Sequence, residues 1–229
     1  MQLDVIYNGD VMIGLRGGVI PDESVDLIVT DPPYLMNYKT NYRKDKTHKF
    51  CRPIIGDTNP DLISNYLKEC YRILKNNSAI YVFCNCNKVD FFKQEIEKVG
   101  FNIKNMIIWV KNNHTAGDLV AQYGKKYEIV FYANKGRSPI RGKRLTDVWE
   151  FSKVSSADLL HQNQKPIELI RLCIEKSSDN GAIVFDGFMG SGTTAIACLE
   201  TGRHYIGYEL DSEYFKIAQN RVLEYELNS

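Results

Sequence analysis

Several short apolar runs, each closing on an acidic residue or a turn, most constrain how this chain can fold. They span residues 3–7, 25–30, 79–83, 182–185 and 204–208, and lead into Asn8-Gly9-Asp10, Asp31, Cys84-Asn85, Asp186 and Glu209 respectively. Runs that stay apolar without strict alternation suit strands covered on both faces, as in a mainly parallel sheet. Helical patterns lie between them. Asn59-Pro60-Asp61 supplies an N-cap, a first-turn proline and a first-turn acid for a helix to about residue 74. Further helices are expected over residues 88–99, stopped by Gly100, from Pro166 to about residue 177, and over residues 212–225 with Phe215, Ala218, Val222 and Tyr225 near one face. Strands alternating with helices predict an α/β fold, a doubly wound and mainly parallel sheet. Residues 103–110 and 128–133 are strand candidates with no obvious helix between them, expected to form a hairpin closing one edge.

At 229 residues with 44% hydrophobic content the chain reads as one globular domain with room for a small insertion. Its net charge of +1 removes overall basicity as an argument for nucleic acid, which would have to rest on local patches. The six cysteines are scattered, and Cys84-Asn85-Cys86 lacks the two-residue gap of a zinc knuckle. They read as small buried apolar residues, and no metal site is expected. No signal peptide and no run of membrane-spanning length is recognised, so a cytoplasmic, reduced protein without a membrane partner is expected.

Asp31-Pro32-Pro33-Tyr34 follows the second apolar run directly. A strand aimed at a Pro-Pro turn delivers a carboxylate and an aromatic ring to the carboxyl edge of the sheet, where open α/β folds bind ligands. Proline fixes φ and lacks an N–H, so the turn is stiff and its carbonyls are free to accept. That arrangement suits a planar base with an exocyclic amine; a plain Asp turn ending a strand is the competing reading. The second signal is Asp186-Gly187-Phe188-Met189-Gly190-Ser191-Gly192-Thr193-Thr194, a strand running through a glycine turn into a helix. Its glycines do not follow the dinucleotide fingerprint. They match phosphate-loop spacing, but Thr193 stands where that loop needs lysine. Glu209 closes the next strand, roughly twenty residues on, where a carboxylate holds ribose hydroxyls. Together these suggest a nucleoside-containing cofactor without an essential pyrophosphate.

These motifs together resemble the S-adenosylmethionine-dependent methyltransferases that modify exocyclic amines of DNA bases. Asp31-Pro32-Pro33-Tyr34 is similar to that family's catalytic motif, and residues 186–194 to its cofactor loop. The catalytic motif comes first, as in the circularly permuted β class, whose recognition region lies between the two. Asn8-Gly9-Asp10, Ser24-Val25-Asp26, Trp109-Val110-Lys111-Asn112, Gln164-Lys165-Pro166 and Gly207-Tyr208-Glu209 fall where that group has counterparts. His161-Gln162-Asn163 departs from it, with Gln-Asn where Pro-Thr is usual.

The resemblance implies a Rossmann-like methyltransferase sheet and site-specific transfer to the N6 amine of adenine. Asp31 and the Pro32 carbonyl would hold the amine, with Pro33 stiffening the turn and Tyr34 stacking on a flipped-out base. Asp186, Phe188, Gly190, Gly192, Thr193 and Thr194 would serve the methionine part of the cofactor, Glu209 its ribose and Asp10 its adenine. Asp10 could equally be a strand-end cap, and Lys165 could bind the methionine carboxylate or cap the following helix. Double-stranded DNA is the implied partner. Lys39, Arg43, Lys44, Lys46, Lys49 and Arg52 form one basic set beside the catalytic motif, and Arg137, Arg141, Lys143 and Arg144 a second within residues 135–162, the expected recognition insertion. Cytosine-N4 transfer uses the same geometry and stays open, as does an inactive DNA-binding regulator. C5-cytosine chemistry is a poor fit, since no Pro-Cys pair occurs. Members of the class often dimerise and may be paired with a cognate restriction endonuclease; the motifs decide neither.

Overall fold

The computed structural model of the chain describes residues 1–36, 55–114, 119–155, 157–161 and 163–228. Eight strands form one sheet: β1 (Val5–Asn8), β2 (Val25–Thr30), β3 (Leu74–Cys84), β4 (Asn102–Val110), β5 (Tyr127–Lys135), β6 (Val148–Glu150), β7 (Ile183–Asp186) and β8 (His204–Glu209). Among the described residues six α-helices pack around it: α1 (Val11–Arg16), α2 (Pro60–Ile73), α3 (Val89–Lys98), α4 (Ile167–Ser177), α5 (Thr193–Glu200) and α6 (Ser212–Asn228). The order across the sheet is β1-β8-β7-β2-β3-β5-β4-β6. Every neighbouring pair is parallel except the two that β5 makes, with β3 and β4.

The apolar runs become strands because both faces of the sheet are covered. Leu27 and Val29 point into one buried cluster with Leu169, Ile170 and Ala195, while Val25 and Ile28 point into the other with Tyr66, Leu67 and Cys70. The α2 start matches the sequence reading: the Asn59 side chain accepts from Leu62 N at 3.2 Å, and Pro60 sits in the first turn.

Three features differ from the sequence expectation. The short helix α1 follows β1, capped by Asp10. The expected hairpin of β4 and β5 is present, but it does not close the sheet, because β6 pairs in parallel beyond β4. Residues 135–162 are therefore not wholly an insertion: they hold the end of β5 and this edge strand, anchored by buried Trp149, whose Nε1 donates to Thr146 O at 2.9 Å. Among the described residues no helix is long and apolar enough to cross a membrane.

The chain leaves β7 towards β8 and leaves β2 towards β3, in opposite directions across the sheet. Such a switch point opens a crevice at the carboxyl ends of the strands.

Candidate active site

That crevice holds a cavity of about 440 Å³, lined by Asp10, by the Asp31–Tyr34 turn, by most of the glycine loop and by Glu209. The parallel strands β1, β8, β7 and β2 all end here, so motifs far apart in sequence meet at one rim. Tyr66 of α2 ties the two central strand ends together: its hydroxyl lies 2.8 Å from Thr30 Oγ1 and accepts from Gly187 N at 3.2 Å.

The glycine loop is shaped by Asp186. One carboxylate oxygen accepts from Phe188 N at 3.0 Å and the other from the Thr194 hydroxyl at 2.6 Å. Burial pushes Asp186 up to about 7 against the pull of those donors. Gly190 and Gly192 adopt φ of +56° and +83°, in the left-handed region that side chains disfavour. Gly190 faces the cavity, whereas Gly192 turns the chain into α5 and packs on α6, where a Cβ would lie 3.0 Å from that of Ala218. Phe188, Thr193 and Thr194 also line the cavity. Glu209 accepts from Gly190 N at 2.7 Å and from Asp211 N at 2.8 Å, one bond to each oxygen. Each oxygen keeps a lone pair for a hydroxyl. Burial drives this carboxyl up to about 7 as well. Asp10 does both things expected of it, accepting from Met12 N at 2.8 Å as the α1 cap while lining the cavity. His161, which the motif reading gave no role, walls the same space. Its ring lies edge-on to Tyr214 at 4.2 Å, and its Nδ1 accepts from Asn163 N at 3.1 Å. Burial lowers it to about 4, so it is neutral.

The other half of the cavity is a charge cluster. Asp31 accepts from the Tyr34 hydroxyl through one oxygen and from Lys165 Nζ through the other. Lys165 also donates to Tyr34 Oη at 3.2 Å and to Asn163 O at 3.3 Å. It thus meets the catalytic motif instead of capping α4, whose N-cap Pro166 carries no side-chain bond. Glu128, at the start of β5, lies 3.3 Å from Tyr34 Oη, whose single proton goes to Asp31, stands 3.5 Å from Lys165 Nζ and pairs with Lys111. Burial pushes Asp31 above the usual carboxylate range, opposed by Lys165. Burial acts on Glu128 in the same sense, but Lys165 and Lys111 outweigh it and leave Glu128 below its ordinary value. Lys165 stays charged, since its two carboxylates overcome the cost of burial. Sequence reasoning missed Glu128; the only signal was a carboxylate opening an otherwise apolar run.

The two basic sets fare differently. Lys39, Arg43, Lys44, Lys46, Lys49 and Arg52 lie outside the described residues. The second set is not brought to the site, which corrects the sequence expectation. Because β5 runs against its neighbours, the chain leaves it at the amino rim, opposite the cavity. Arg137 N donates to Asn77 Oδ1 at 3.0 Å, and Arg141 pairs with Asp179 at 2.6 Å. The backbone carbonyl of Lys143 accepts from Lys176 Nζ at 2.7 Å, holding Lys143 and the neighbouring Arg144 on that same rim. The described residues that follow β4 and β6 at the cavity's rim are 111–114, 119–126, 151–155, 157–161 and 163–164.

The chain is similar to known proteins. DNA adenine methyltransferase YhdJ of Escherichia coli is 29% identical over 258 residues, covering 96% of this chain and 83% of that protein. Type II methyltransferase M.HinfI of Haemophilus influenzae is 29% identical over 259 residues, covering 99% of this chain and 70% of its own length. The crystal structure of the M1.HpyAVI–SAM complex superposes with a TM-score of 0.73 at 26% identity, covering 95% of this chain and 98% of that one. A family described as DNA methylase matches residues 25–220, a span that runs from the strand carrying Asp31 to beyond Glu209. Asp31, Lys165, the glycine loop and Glu209 fall inside that match, and the chain belongs to the N6/N4 DNA methylase family.

Proposed function

We propose that this DNA methyltransferase transfers the methyl group of S-adenosylmethionine to the N6 amine of adenine in duplex DNA. One observation carries the reading: a half-buried carboxylate on a rigid Pro-Pro turn shares a single cavity with a glycine loop and a ribose-ready carboxylate. The cavity lies within the usual range of small-molecule sites, roughly 300–1,000 Å³. The residues fit the cofactor. Glu209 has free lone pairs for the ribose hydroxyls, and Gly190 presents bare backbone to the cavity. When bound, the cofactor supplies an electrophilic sulfonium methyl.

The N6 amine is a poor nucleophile because its lone pair is delocalised into the ring. Asp31 and the Pro32 carbonyl accept its two N–H bonds and favour a more tetrahedral nitrogen with the lone pair aimed at the methyl. Asp31 accepts a proton as the N–C bond forms and the sulfonium C–S bond breaks, and it releases that proton to solvent with product. The base reaches this depth only after leaving the duplex, and Tyr34 offers it an aromatic edge. DNA lies against the rim at residues 119–126 and 151–155, where Lys125, Lys126 and Lys153 supply positive charge. The adenine assignment rests on Asp at the first motif position and on the adenine specificity named for YhdJ.

Incubating unmethylated duplex DNA with labelled S-adenosylmethionine, then digesting to nucleosides, tests the assignment. N6-methyladenine is the expected product; N4-methylcytosine as the sole product overturns it. Asp31→Ala is expected to abolish transfer while cofactor binding persists.

A further inference from the structure

The site has a feature that the transfer chemistry leaves unexplained. Each oxygen of Asp31 already accepts one bond, from the Tyr34 hydroxyl and from Lys165. A lone pair remains on each for an exocyclic amine, but an ammonium bonded to the same carboxylate draws off the negative charge that makes it a good acceptor. Asp31 therefore serves the amine best once Lys165 has turned away. Lys165 cannot retreat to water at low cost, since its side chain is only 7% exposed and it is enclosed by the rings of Phe83 and Tyr34.

We infer that Glu128 is a positioning residue for methyl transfer, offering Lys165 a second carboxylate so that the ammonium can leave Asp31 when the amine arrives. The reading rests on the proposed function above. Glu128 Oε2 already stands 3.5 Å from Lys165 Nζ, so contraction by less than an ångström completes a normal charge-assisted bond. Lys111 holds Glu128 in place through its other oxygen. The cluster contains two carboxylates, Asp31 and Glu128, and two ammoniums, Lys111 and Lys165. Shifting Lys165 between partners therefore leaves the buried net charge unchanged. Once Lys165 has turned away, Asp31 loses the counter-ion that opposes its burial and becomes the better proton acceptor.

The test is the single-turnover transfer rate at saturating DNA and S-adenosylmethionine for wild type, Glu128→Gln and Glu128→Asp. Glutamine removes the second anchor and leaves Lys165 locked on Asp31. The rate at pH 7 should fall by about tenfold or more, the scale of one lost bond to a charged group. Cofactor affinity should stay within about twofold, because Glu128 makes no contact with the glycine loop or Glu209.

The pH profile separates positioning from simple structural damage. The charged and titratable groups around Lys165 are Asp31, Glu128, Tyr34, His161 and Asp186, and those around Glu128 are Lys111, Lys165, Tyr34, Asp31 and Cys84. Glu128 helps keep Lys165 protonated, so in Glu128→Gln the ammonium deprotonates at lower pH and frees Asp31. The deficit relative to wild type should therefore shrink as pH rises from 7 to 9.

Glu128→Asp keeps the charge and should hold the rate within about threefold, with a wild-type pH profile. It also serves if the glutamine variant fails to fold. A Glu128→Gln enzyme at the wild-type rate, a deficit that does not change with pH, or a folded Glu128→Asp enzyme as slow as Glu128→Gln would each overturn the inference. A wild-type protein that methylates no base would sink this inference together with the proposed function, whereas active wild type with an indifferent Glu128 removes the inference alone.

Discussion

Glu209→Gln should make the cofactor-free protein more stable at pH 8 while weakening its grip on cofactor. Burial takes this carboxyl from an ordinary 4.5 to about 7, although Asp211 N and Gly190 N both donate to it. The sign follows from proton uptake. Between those two values the folded chain holds a proton that the unfolded chain has lost, so stability falls as pH rises through the window. At about 1.4 kcal/mol per pH decade, the ionised group costs the fold about 3 kcal/mol at pH 8. Glutamine removes the charge but turns its amide N–H₂ towards one of the two backbone donors, a mismatch of about 1–2 kcal/mol. The net gain is about 1–2 kcal/mol at pH 8, falls away as pH drops through the window, and gives way to the mismatch near pH 5, where wild type is mostly protonated. At roughly 2–4 °C per kcal/mol for a chain of this size, Tm at pH 8 rises by about 2–8 °C. Thermal unfolding of both proteins at pH 5 and pH 8 reads the effect, and calorimetric titration with S-adenosylmethionine should show about tenfold weaker binding. A variant less stable than wild type at pH 8, or a difference that ignores pH, would refute the reasoning.

Thr194→Val removes the hydroxyl that donates to buried Asp186 at 2.6 Å and should cost about 1–3 kcal/mol, read as a lower urea midpoint with an unchanged slope. Gly192→Ala combines a left-handed φ of +83° with a Cβ 3.0 Å from Ala218, and should cost about 2–4 kcal/mol on the same measurement. A neutral result there would mean that α6 yields more readily than close packing implies.

What the sequence made legible follows from how each feature is encoded. The strands carrying Asp31, Asp186 and Glu209 are continuous apolar runs, so both the elements and their carboxyl-edge acids could be read directly. The three-residue β6 could not, because Val148, Trp149 and Glu150 are too few to show a period. Helix α1 was missed for a similar reason: six residues interrupted by Gly14 make a weak pattern. The charge cluster lay beyond reach, since Lys165 meets Asp31 across 134 positions and Glu128 arrives from a different strand. The basic residues at 137–144 were misplaced because composition records charge but not the rim to which a strand delivers it. Only the reversal of β5 decides that.

The reversed strand also separates what can be altered from what cannot. The connection through residues 136–147 runs along the rim away from the cavity, whereas residues 119–126 and 151–155 lie on the cavity's rim. A peptide tag or reporter grafted into 136–147 would sit on the far side of the molecule from substrate. New sequence preference would have to be engineered into the other two segments. The same turn of chain that misdirected the search for DNA contacts thus gives the protein a face on which change should carry no catalytic consequence.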